Sequence, residues 1–593
     1  MGPLARARAD ARALAMLARM LARTRGLRPE AATSVADAVE GQVRRHGSRV
    51  ALRGPDESLT YRELDREANR VARWARDQGI GRGHTVALLM GNRPAYCVVW
   101  LGLAKLGAVT ALLNTNLRGH ALAHCVGVSG ARHLVLGAEL AEAWESALPH
   151  LAEPPAVFAL GGPVEGADDL DEALGNRSPR PLGQGVREGL RASSELFYIY
   201  TSGTTGLPKA ARFSHYRFLL VAAGAAAATR LGPEDTMYVP LPLYHTAGGV
   251  MALGSALLTG ASAAVAPRFS ASRFWSDCVA YEATAFQYIG ELCRYLLHSP
   301  AHPDERRHQV RRCIGNGLRP EVWEPFQRRF EIPEVLEFYG ATEGNVALMN
   351  TDGKVGAVGR LPGLLRRVMG IHLLRFDVEA EDVVRGPDGR CVPCAPGEVG
   401  EAVGRISAVA RFEGYSSPEA TERKILRHVF EPDDAYFRTG DLLRMDEDGY
   451  FYFVDRIGDT FRWKGENVST SEVAEVLSVC PGVREAVVYG VQVPGADGRA
   501  GMAAVVVDAG FDPAALTGRV RAELPAYARP LFLRLRPELD VTGTFKHRKV
   551  DLAREGFDPS QVDEPLFFLD DAKGYTPLDA ALHARLLSGT VRL

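Results

Sequence analysis

Short apolar runs with strand propensity alternate with longer, charge-rich stretches of helical character from about residue 34 to residue 455. The apolar runs include Val86–Met90, Leu134–Leu136, Phe197–Tyr200, Met237–Val239 and Val335–Phe338. Alternation of strands and helices is typical of α/β folds. We therefore predict an α/β architecture for this part of the chain.

The pattern changes after Asp455 to that of a compact α+β unit. It predicts helices over Glu472–Val479 and Pro513–Leu524, and strands over Glu485–Val493 and Ala503–Asp508. The predicted domain boundary lies near residues 455–458. This divides the chain into a large domain over 29–455, a smaller domain over 456–550, and a final segment over 551–593.

The first 28 residues differ from the rest, because they consist mainly of Ala, Arg and Leu. On a helical wheel Leu14, Leu17, Met20 and Leu21 share one face, and Arg8, Arg12, Arg19 and Arg23 share the other. Such a basic amphipathic helix suits an anionic membrane surface. The alternative is a helix that is solvated or packed on its own protein, and the sequence leaves both open.

Length and composition narrow the class of protein. The 593 residues, 46% hydrophobic and 24% charged, fit a globular protein of more than one domain. A net charge of −2 gives no overall basic potential that would favour nucleic-acid binding.

The cysteines are scattered along the chain, which favours a reduced cytosolic protein. The single closely spaced pair, Cys391 and Cys394, is interpreted as a coincidence. The uncharged stretch Thr246–Pro267 is interpreted as a buried helix and strand of the large domain.

The most informative stretch is residues 198–209, Tyr-Ile-Tyr-Thr-Ser-Gly-Thr-Thr-Gly-Leu-Pro-Lys. Glycines let the backbone turn its amides toward an anion, hydroxyls add donors, and a lysine adds charge. The residues concerned are Thr201, Ser202, Gly203, Thr204, Thr205, Gly206 and Lys209. This chemistry suits a polyphosphate, although the spacing is not that of a Walker loop.

The whole string resembles the phosphate loop of the adenylate-forming superfamily, and four further fragments follow in that superfamily's order. They are Tyr339-Gly-Ala-Thr-Glu-Gly344, Thr439-Gly-Asp441, Asp455-Arg-Ile-Gly-Asp459 and Thr542-Gly-Thr-Phe-Lys546. The resemblance implies the superfamily's fold, which is a large multi-subdomain α/β N-terminal domain and a smaller, mobile α+β C-terminal domain. Glycine at 458 departs from the Asp or Lys that many members have. It suits a backbone switch, and an ordinary turn glycine is equally compatible with the sequence.

The resemblance implies a role for each matching residue. Thr342 would bind the α-phosphate, Glu343 and Thr204 would hold Mg²⁺, and Lys546 would neutralise charge between the carboxylate and the α-phosphate. The other implied nucleotide and CoA contacts are Gly317, Tyr339, Gly340, Ala341, Asp441, Arg456 and Gly465. ATP, Mg²⁺ and coenzyme A are thus the implied cofactors.

Within the superfamily the chain resembles the fatty acid transport protein / very-long-chain acyl-CoA synthetase branch over roughly residues 35–593. The similar segments are 286–297, 314–320, 338–345, 461–468 and 568–593. The Arg-rich N-terminus departs from relatives that carry an apolar anchor. Residues expected to border an acyl pocket are His245, Tyr244, Gly249 and Tyr288.

These features predict an ATP-dependent long- or very-long-chain fatty acyl-CoA synthetase that acts through acyl-AMP, coupled to fatty acid uptake in one version of the hypothesis. A CoA ligase for a sterol-derived or carnitine-like acid, and a transport protein with minor ligase activity, remain alternatives. We expect a cytoplasmic location, with peripheral contact to the inner face of the cell membrane. A homodimer is a further expectation.

Overall fold

The structure is a computed structural model that describes residues 1–201, 207–378, 380–408, 410–464, 466–494, 496, 498–539, 549–588 and 590–591. The helices are α1 (Pro3–Arg23), α2 (Val35–His46), α3 (Tyr61–Asp77), α4 (Pro94–Ala104), α5 (Gly119–Ser129), α6 (Ala141–Ala147), α7 (Leu170–Gly175), α8 (His215–Thr229), α9 (Leu253–Thr259), α10 (Phe274–Ala280), α11 (Gly290–His298), α12 (Pro320–Phe330), α13 (Gly363–Met369), α14 (Pro418–Glu422), α15 (Thr470–Ser478), α16 (Pro513–Glu523), α17 (Lys549–Glu555) and α18 (Ala580–Leu587).

Two largely parallel sheets form the body of the large domain. The first has the order β15 (Ala347–Asn350), β14 (Glu334–Gly340), β13 (Arg312–Asn316), β12 (Ala285–Ile289), β10 (Thr236–Val239), β11 (Ser262–Val265), β1 (Val50–Arg53), β2 (Ser58–Thr60). The second has the order β7 (Asp168–Asp169), β6 (Ala156–Leu160), β5 (His133–Gly137), β3 (Thr85–Leu89), β4 (Val109–Leu112), β8 (Glu195–Thr201), β9 (Lys209–Ser214). The predicted strands of the large domain are confirmed, each within one or two residues of the predicted ends.

The parallel strands of the first sheet bring three loops to one edge. Strands β12, β13 and β14 run in the same direction, so the residues that follow Ile289, Asn316 and Tyr339 lie side by side. In open α/β sheets this carboxyl edge is where ligands bind. The interpretation of Thr246–Pro267 is also confirmed, because it forms a π-helical turn (Thr246–Ala252), α9 and β11.

A third sheet, antiparallel, completes the large domain. Its order is β16 (Gly359–Arg360), β22 (Tyr450–Arg456), β21 (Ala435–Met445), β19 (Val399–Arg405), β17 (Ile371–Asp377), β18 (Asp382–Val383), with β20 (Ile425–Arg427) beside β21. The last residue of β22, Arg456, pairs with Asp441 of β21. The final strand of this sheet therefore ends at the predicted domain boundary.

The smaller domain is built on a five-stranded sheet with its own apolar core. The order is β25 (Val483–Gln492), β26 (Arg499–Val507), β27 (Phe532–Arg536), β28 (Leu566–Asp570), β29 (Gly574–Pro577), and a hairpin of β23 (Phe461–Trp463) and β24 (Glu466–Val468) precedes it. The described residues of the final segment, 551–588 and 590–591, pack with this domain. Strand β28 pairs with β27, and Leu566 and Phe568 lie in the same core as Phe532, so the segment belongs to the smaller domain.

The N-terminal helix α1 lies against α8 of the large domain. Arg19 Nε donates to Ala227 O at 3.1 Å, and a guanidinium nitrogen of Arg23 donates to Leu231 O at 3.0 Å. In the N-terminal half of α1, Asp10 pairs with Arg360 at 2.7 Å. Of the two interpretations of this segment, the structure shows a helix packed on its own protein. Among the described residues no helix has the length and apolarity that a membrane span requires.

Candidate active site

A large cavity of about 2490 Å³ opens at the carboxyl edge of the first sheet. Its polar end is lined by residues of four separate sequence motifs, and its apolar end by helices α1, α8 and α13. Polar lining includes Thr201, Gly317, Tyr339, Gly340, Ala341, Thr342, Arg456, Asp459 and Lys549. One cavity thus brings together side chains that are hundreds of residues apart in sequence.

Tyr339, which lines this cavity, is in direct contact with Asp441. The Tyr339 hydroxyl donates to Asp441 Oδ2 at 2.6 Å, and Arg456 Nε lies 3.6 Å from Asp441 Oδ1. Burial, together with the neighbouring carboxylate of Asp441, raises the pKa of Tyr339 well above its ordinary value. The cluster combines an aromatic ring, a carboxylate acceptor and a cation, which is a suitable set for the base, ribose and phosphates of a nucleotide.

Glu343 is held by a tyrosine that no sequence motif identified. Tyr415 donates its hydroxyl to Glu343 Oε1 at 2.7 Å. Among the described residues no group of three or more His, Cys, Asp or Glu side chains could hold a metal ion. A single carboxylate beside a phosphate site is nevertheless what Mg²⁺ uses, since this ion usually takes one or two carboxylates together with substrate phosphates. The donor set around Glu343 therefore fits Mg²⁺.

Arg217 of α8 holds the loop that carries Thr342 and Glu343. Its guanidinium donates to the carbonyl oxygen of Ala341 at 2.9 Å and to that of Gly344. Removal from water lowers the pKa of Arg217, and the carboxylates of Glu413 and Glu343 oppose that shift. A part-buried cation is thereby fixed next to the position where phosphate charge is expected.

Thr342 and Lys209 also lie at this end of the cavity. The Thr246 hydroxyl donates a hydrogen bond to the Thr342 hydroxyl at 3.2 Å. Lys209 is the first residue of β9, directly opposite Thr201 of β8, and its Nζ lies 5.9 Å from the centroid of the Tyr415 ring. The predicted loop residues between these strands, Ser202, Gly203, Thr204, Thr205 and Gly206, lie outside the described residues, as do Gly465 and Lys546.

Close backbone packing shapes the wall around Gly317. Gly317 has φ of +76°, in the region that favours glycine. A Cβ on the neighbouring Gly290 would lie 1.8 Å from Gly317 O, so the two loops are in direct contact. Glu337 fixes the base of this wall, because its carboxyl accepts the amide of Leu318 at 3.1 Å.

The prediction that Tyr288 lines the acyl pocket is wrong. Its side chain is completely buried, and its hydroxyl donates to Glu337 Oε2 at 2.6 Å. Side chains alternate along a strand, and it is the next residue, Ile289, that lines the cavity. Gly249 does not line it either, because a Cβ there would meet Leu243 O at 2.2 Å. Both residues have a packing role.

Tyr244 and His245 do line the cavity. Their rings lie 4.5 Å apart between centroids, and burial raises the pKa of Tyr244 to about 12. Both residues lie between the polar and the apolar parts of the cavity. The adjacent Thr246 contacts Thr342 on the polar side, and Met251 further along the same segment lines the cavity.

The segment between the two domains carries its own polar network. Lys549 Nζ lies 3.0 Å from Asp459 Oδ2 and donates to Thr470 Oγ1 at 2.7 Å. The buried Asp455 accepts the Thr470 amide at 2.6 Å, and desolvation raises its pKa. Gly458 between them has φ of +95°. Gly458 therefore occupies a conformation that few other residues adopt readily.

Several residues of this site were not identified from the sequence. Only some of them have a feature in the sequence that could have identified them. Arg217 is a lone charge on an otherwise apolar, alanine-rich helix, and that isolation could have marked it. Tyr415 and Glu337 have no such signal, because their roles depend on contacts made across the fold.

Comparisons with known proteins were made for sequence and for structure. The profile of the AMP-binding enzyme family matches residues 39–414, and that of the AMP-binding enzyme C-terminal domain matches residues 472–546. Long-chain fatty acid transport protein 1 of Mus musculus is 46% identical over 563 residues, which cover 93% of this chain and 87% of that protein. Long-chain fatty acid transport protein 2 of Rattus norvegicus is 43% identical over 562 residues, covering 93% and 90%.

The fold is similar to that of solved CoA ligases. A crystal structure of an anthranilate CoA ligase in complex with anthranoyl-AMP has a TM-score of 0.76 and 22% sequence identity, covering 88% of this chain and 96% of that one. At this level of identity the likeness concerns the fold alone.

Proposed function

The chain belongs to the AMP-binding enzymes and, within them, to the long-chain fatty acid transport proteins, and from this we propose that it is an AMP-forming acyl-CoA synthetase for long-chain fatty acids. The observation that carries the proposal is the two-ended cavity. Polar groups suited to a nucleotide line one part of the cavity, and methionine, leucine and alanine side chains line another. Burial of an acyl chain contributes roughly 0.8 kcal/mol per methylene.

The proposed reaction has two steps. A carboxylate oxygen of the acid attacks the α-phosphorus of ATP, the bond to the bridging oxygen breaks, and pyrophosphate leaves. The sulfur of CoA then attacks the acyl carbonyl, the thiol proton is lost, and AMP departs with the electrons of the acyl–oxygen bond. No side chain acts as the nucleophile, so the protein contributes positioning and charge neutralisation.

The residues divide this work by position. Tyr339, Asp441 and Arg456 would hold the nucleoside. Asp441 would accept hydrogen bonds from the ribose hydroxyls after its hydrogen bond with Tyr339 breaks. Thr342 and the nearby guanidinium of Arg217 would face the α-phosphate. Glu343 would hold Mg²⁺, which offsets phosphate charge when bound.

A turn of the smaller domain between the two steps is part of the proposal. The Gly458 conformation and the Lys549–Asp459 pair support it, because a glycine hinge and an exchangeable ion pair allow two arrangements. Lys546 would serve the first arrangement, and Gly465 would line the path of CoA in the second.

We also propose peripheral contact with the inner face of the cell membrane. A group of apolar side chains, here termed the rim, consists of Leu14, Leu21, Val368 and Met369. Val368 is 78% exposed and Leu14 is 50% exposed, and Leu21, Val368 and Met369 also line the cavity. The rim would let an acid pass from lipid into the channel and couple uptake to thioester formation.

Pyrophosphate release and acyl-CoA formation, measured over acids of graded chain length, test the proposed activity. We expect both products with long-chain acids, in equal amounts. Activity confined to sterol-derived or carnitine-like acids would replace this proposal by the corresponding CoA ligase. Fatty acid binding without pyrophosphate release would favour a transport protein with minor ligase activity.

A further inference from the structure

We propose that the gap between Gly224 of α8 and Met20 of α1 is the distal acyl subsite, and that the residue at position 224 sets how long a chain the cavity accepts. The inference rests on the proposed function, and it assigns to the N-terminal helix a role as the wall of the channel.

Helix α8 runs from the reacting end of the cavity to its apolar end. Near its start, Arg217 contacts the carbonyl groups on either side of Thr342. Further along, Val221, Gly224 and Ala225 line the cavity. An acyl chain whose carboxylate lies beside Thr342 would therefore follow α8 past position 224.

The small residue at 224 keeps this path open. A Cβ placed on Gly224 would have Met20 Sδ, at 3.8 Å, as its near neighbour among the described residues. A larger side chain would thus point across the gap and into the cavity. Methionine on the facing wall suits a site for flexible chains, because its side chain adapts to irregular gaps.

Helix α1 is hydrogen-bonded to the C-terminal end of α8, so it forms a fixed wall of the channel. Arg19 and Arg23 donate to the carbonyl oxygens of Ala227 and Leu231, where cations favour the negative end of a helix dipole. Met16 packs against the cluster of Ala225, Ala228 and Met251. The apolar face of α1 is therefore turned to the channel between its polar attachments.

The distance along α8 predicts where chain length begins to matter. From Arg217 to Gly224 the helix advances about 10 Å. An extended chain of sp³ carbons, with bonds of about 1.5 Å, advances roughly 1.3 Å per carbon. A chain of about eight carbons would reach the gap, and longer chains must pass through it.

The test is Gly224→Leu, assayed with octanoate and palmitate. Leucine is a better helix former than glycine, so the variant is expected to fold. The palmitate-to-octanoate ratio of kcat/KM should fall roughly 10- to 200-fold, the range for one misfitting group in an apolar pocket. Adding Met20→Ala to Gly224→Leu should recover part of that ratio, because it reopens the gap from the facing helix.

Gly127→Leu is the matched control. Gly127 lies on α5, is exposed, and has no neighbour within 4 Å of an added Cβ among the described residues. An unchanged palmitate-to-octanoate ratio in Gly224→Leu would overturn the subsite while leaving the synthetase proposal intact. A wild-type protein that releases no pyrophosphate with any acid would overturn the synthetase proposal itself.

Discussion

The Tyr339 hydroxyl donates a 2.6 Å hydrogen bond to the Asp441 carboxylate, although the two residues are 102 positions apart in sequence. The bond joins the end of a parallel strand in the first sheet to an antiparallel strand of the third sheet. The proposed nucleotide site therefore lies where the two sheets meet.

Asp441→Asn should weaken ATP binding. A hydrogen bond to a charged acceptor contributes about 1.5–3 kcal/mol, so the KM for ATP should rise roughly 10- to 100-fold. Tyr339→Phe, which removes only the partner hydroxyl, is the comparison and should change that KM far less. Unaltered KM for ATP in Asp441→Asn would contradict a role at the ribose.

Glu343→Gln should slow adenylation by roughly 10²- to 10³-fold, as expected when one charged group at a developing charge is lost. The Mg²⁺ concentration for half-maximal pyrophosphate release should also rise. Tyr415→Phe keeps the carboxylate and removes its 2.7 Å donor, so its effect should be smaller. An identical Mg²⁺ titration in Glu343→Gln and wild type would refute the assignment.

Lys546→Ala and Gly465→Leu should separate the two steps. The first should abolish acyl-AMP formation and spare thioester formation from supplied acyl-AMP, because charge neutralisation is needed only at the α-phosphate. The second should do the reverse by blocking the CoA path. Lys573→Ala removes an exposed lysine of the same domain and should affect neither step. Equal loss of both steps in either variant would count against the assignment.

The buried Glu337 should make stability depend on pH. Desolvation raises its pKa from 4.5 to about 8, so below that pH the folded protein holds a proton that the unfolded chain releases above 4.5. The stabilising contribution of Glu337 to the free energy of unfolding is complete below about pH 4.5. It is lost as the pH rises through about 8. Between about pH 6 and pH 9 the Tm of wild type should therefore fall by a few degrees relative to Glu337→Gln.

Glu334→Gln on the same strand is the control for that titration. Its pKa is lowered, with Arg230 and Arg312 outweighing its partial burial, so Glu334 is ionised in both states over this range and adds no slope. A constant Tm difference between Glu337→Gln and wild type across the range would mean that Glu337 is ionised in the folded protein.

Val368→Glu combined with Leu14→Glu should reduce sedimentation with anionic vesicles. Transfer of an exposed apolar side chain into lipid contributes roughly 1.5–3 kcal/mol, so binding should weaken at least tenfold. These substitutions are more informative than deletion of residues 1–28, because α1 also lines the cavity. Val128→Glu, at a 37% exposed position on α5, is the control. Equal sedimentation of the double variant and wild type would exclude the rim as a membrane contact.

The fold class could be predicted from the sequence, and the motifs proposed for the polar end are visible in it. Strands such as β8 and β10 appear as local apolar runs. The ordered motifs specify backbone turns and donor groups that need few distant partners. Strand and turn propensities act over a few residues, which is why these features could be predicted.

Which side chains face the cavity depends on tertiary packing. Tyr288 and Ile289 are adjacent and both apolar, so no polar–apolar alternation distinguishes the two faces of a parallel strand covered on both sides. Three other contacts likewise depend on partners far along the chain. They are the packing of α1 on α8, the contact of Arg217 with the Thr342 loop, and the pairing of β28 with β27. Burial in these cases is a property of the assembled layers, and no local pattern specifies it.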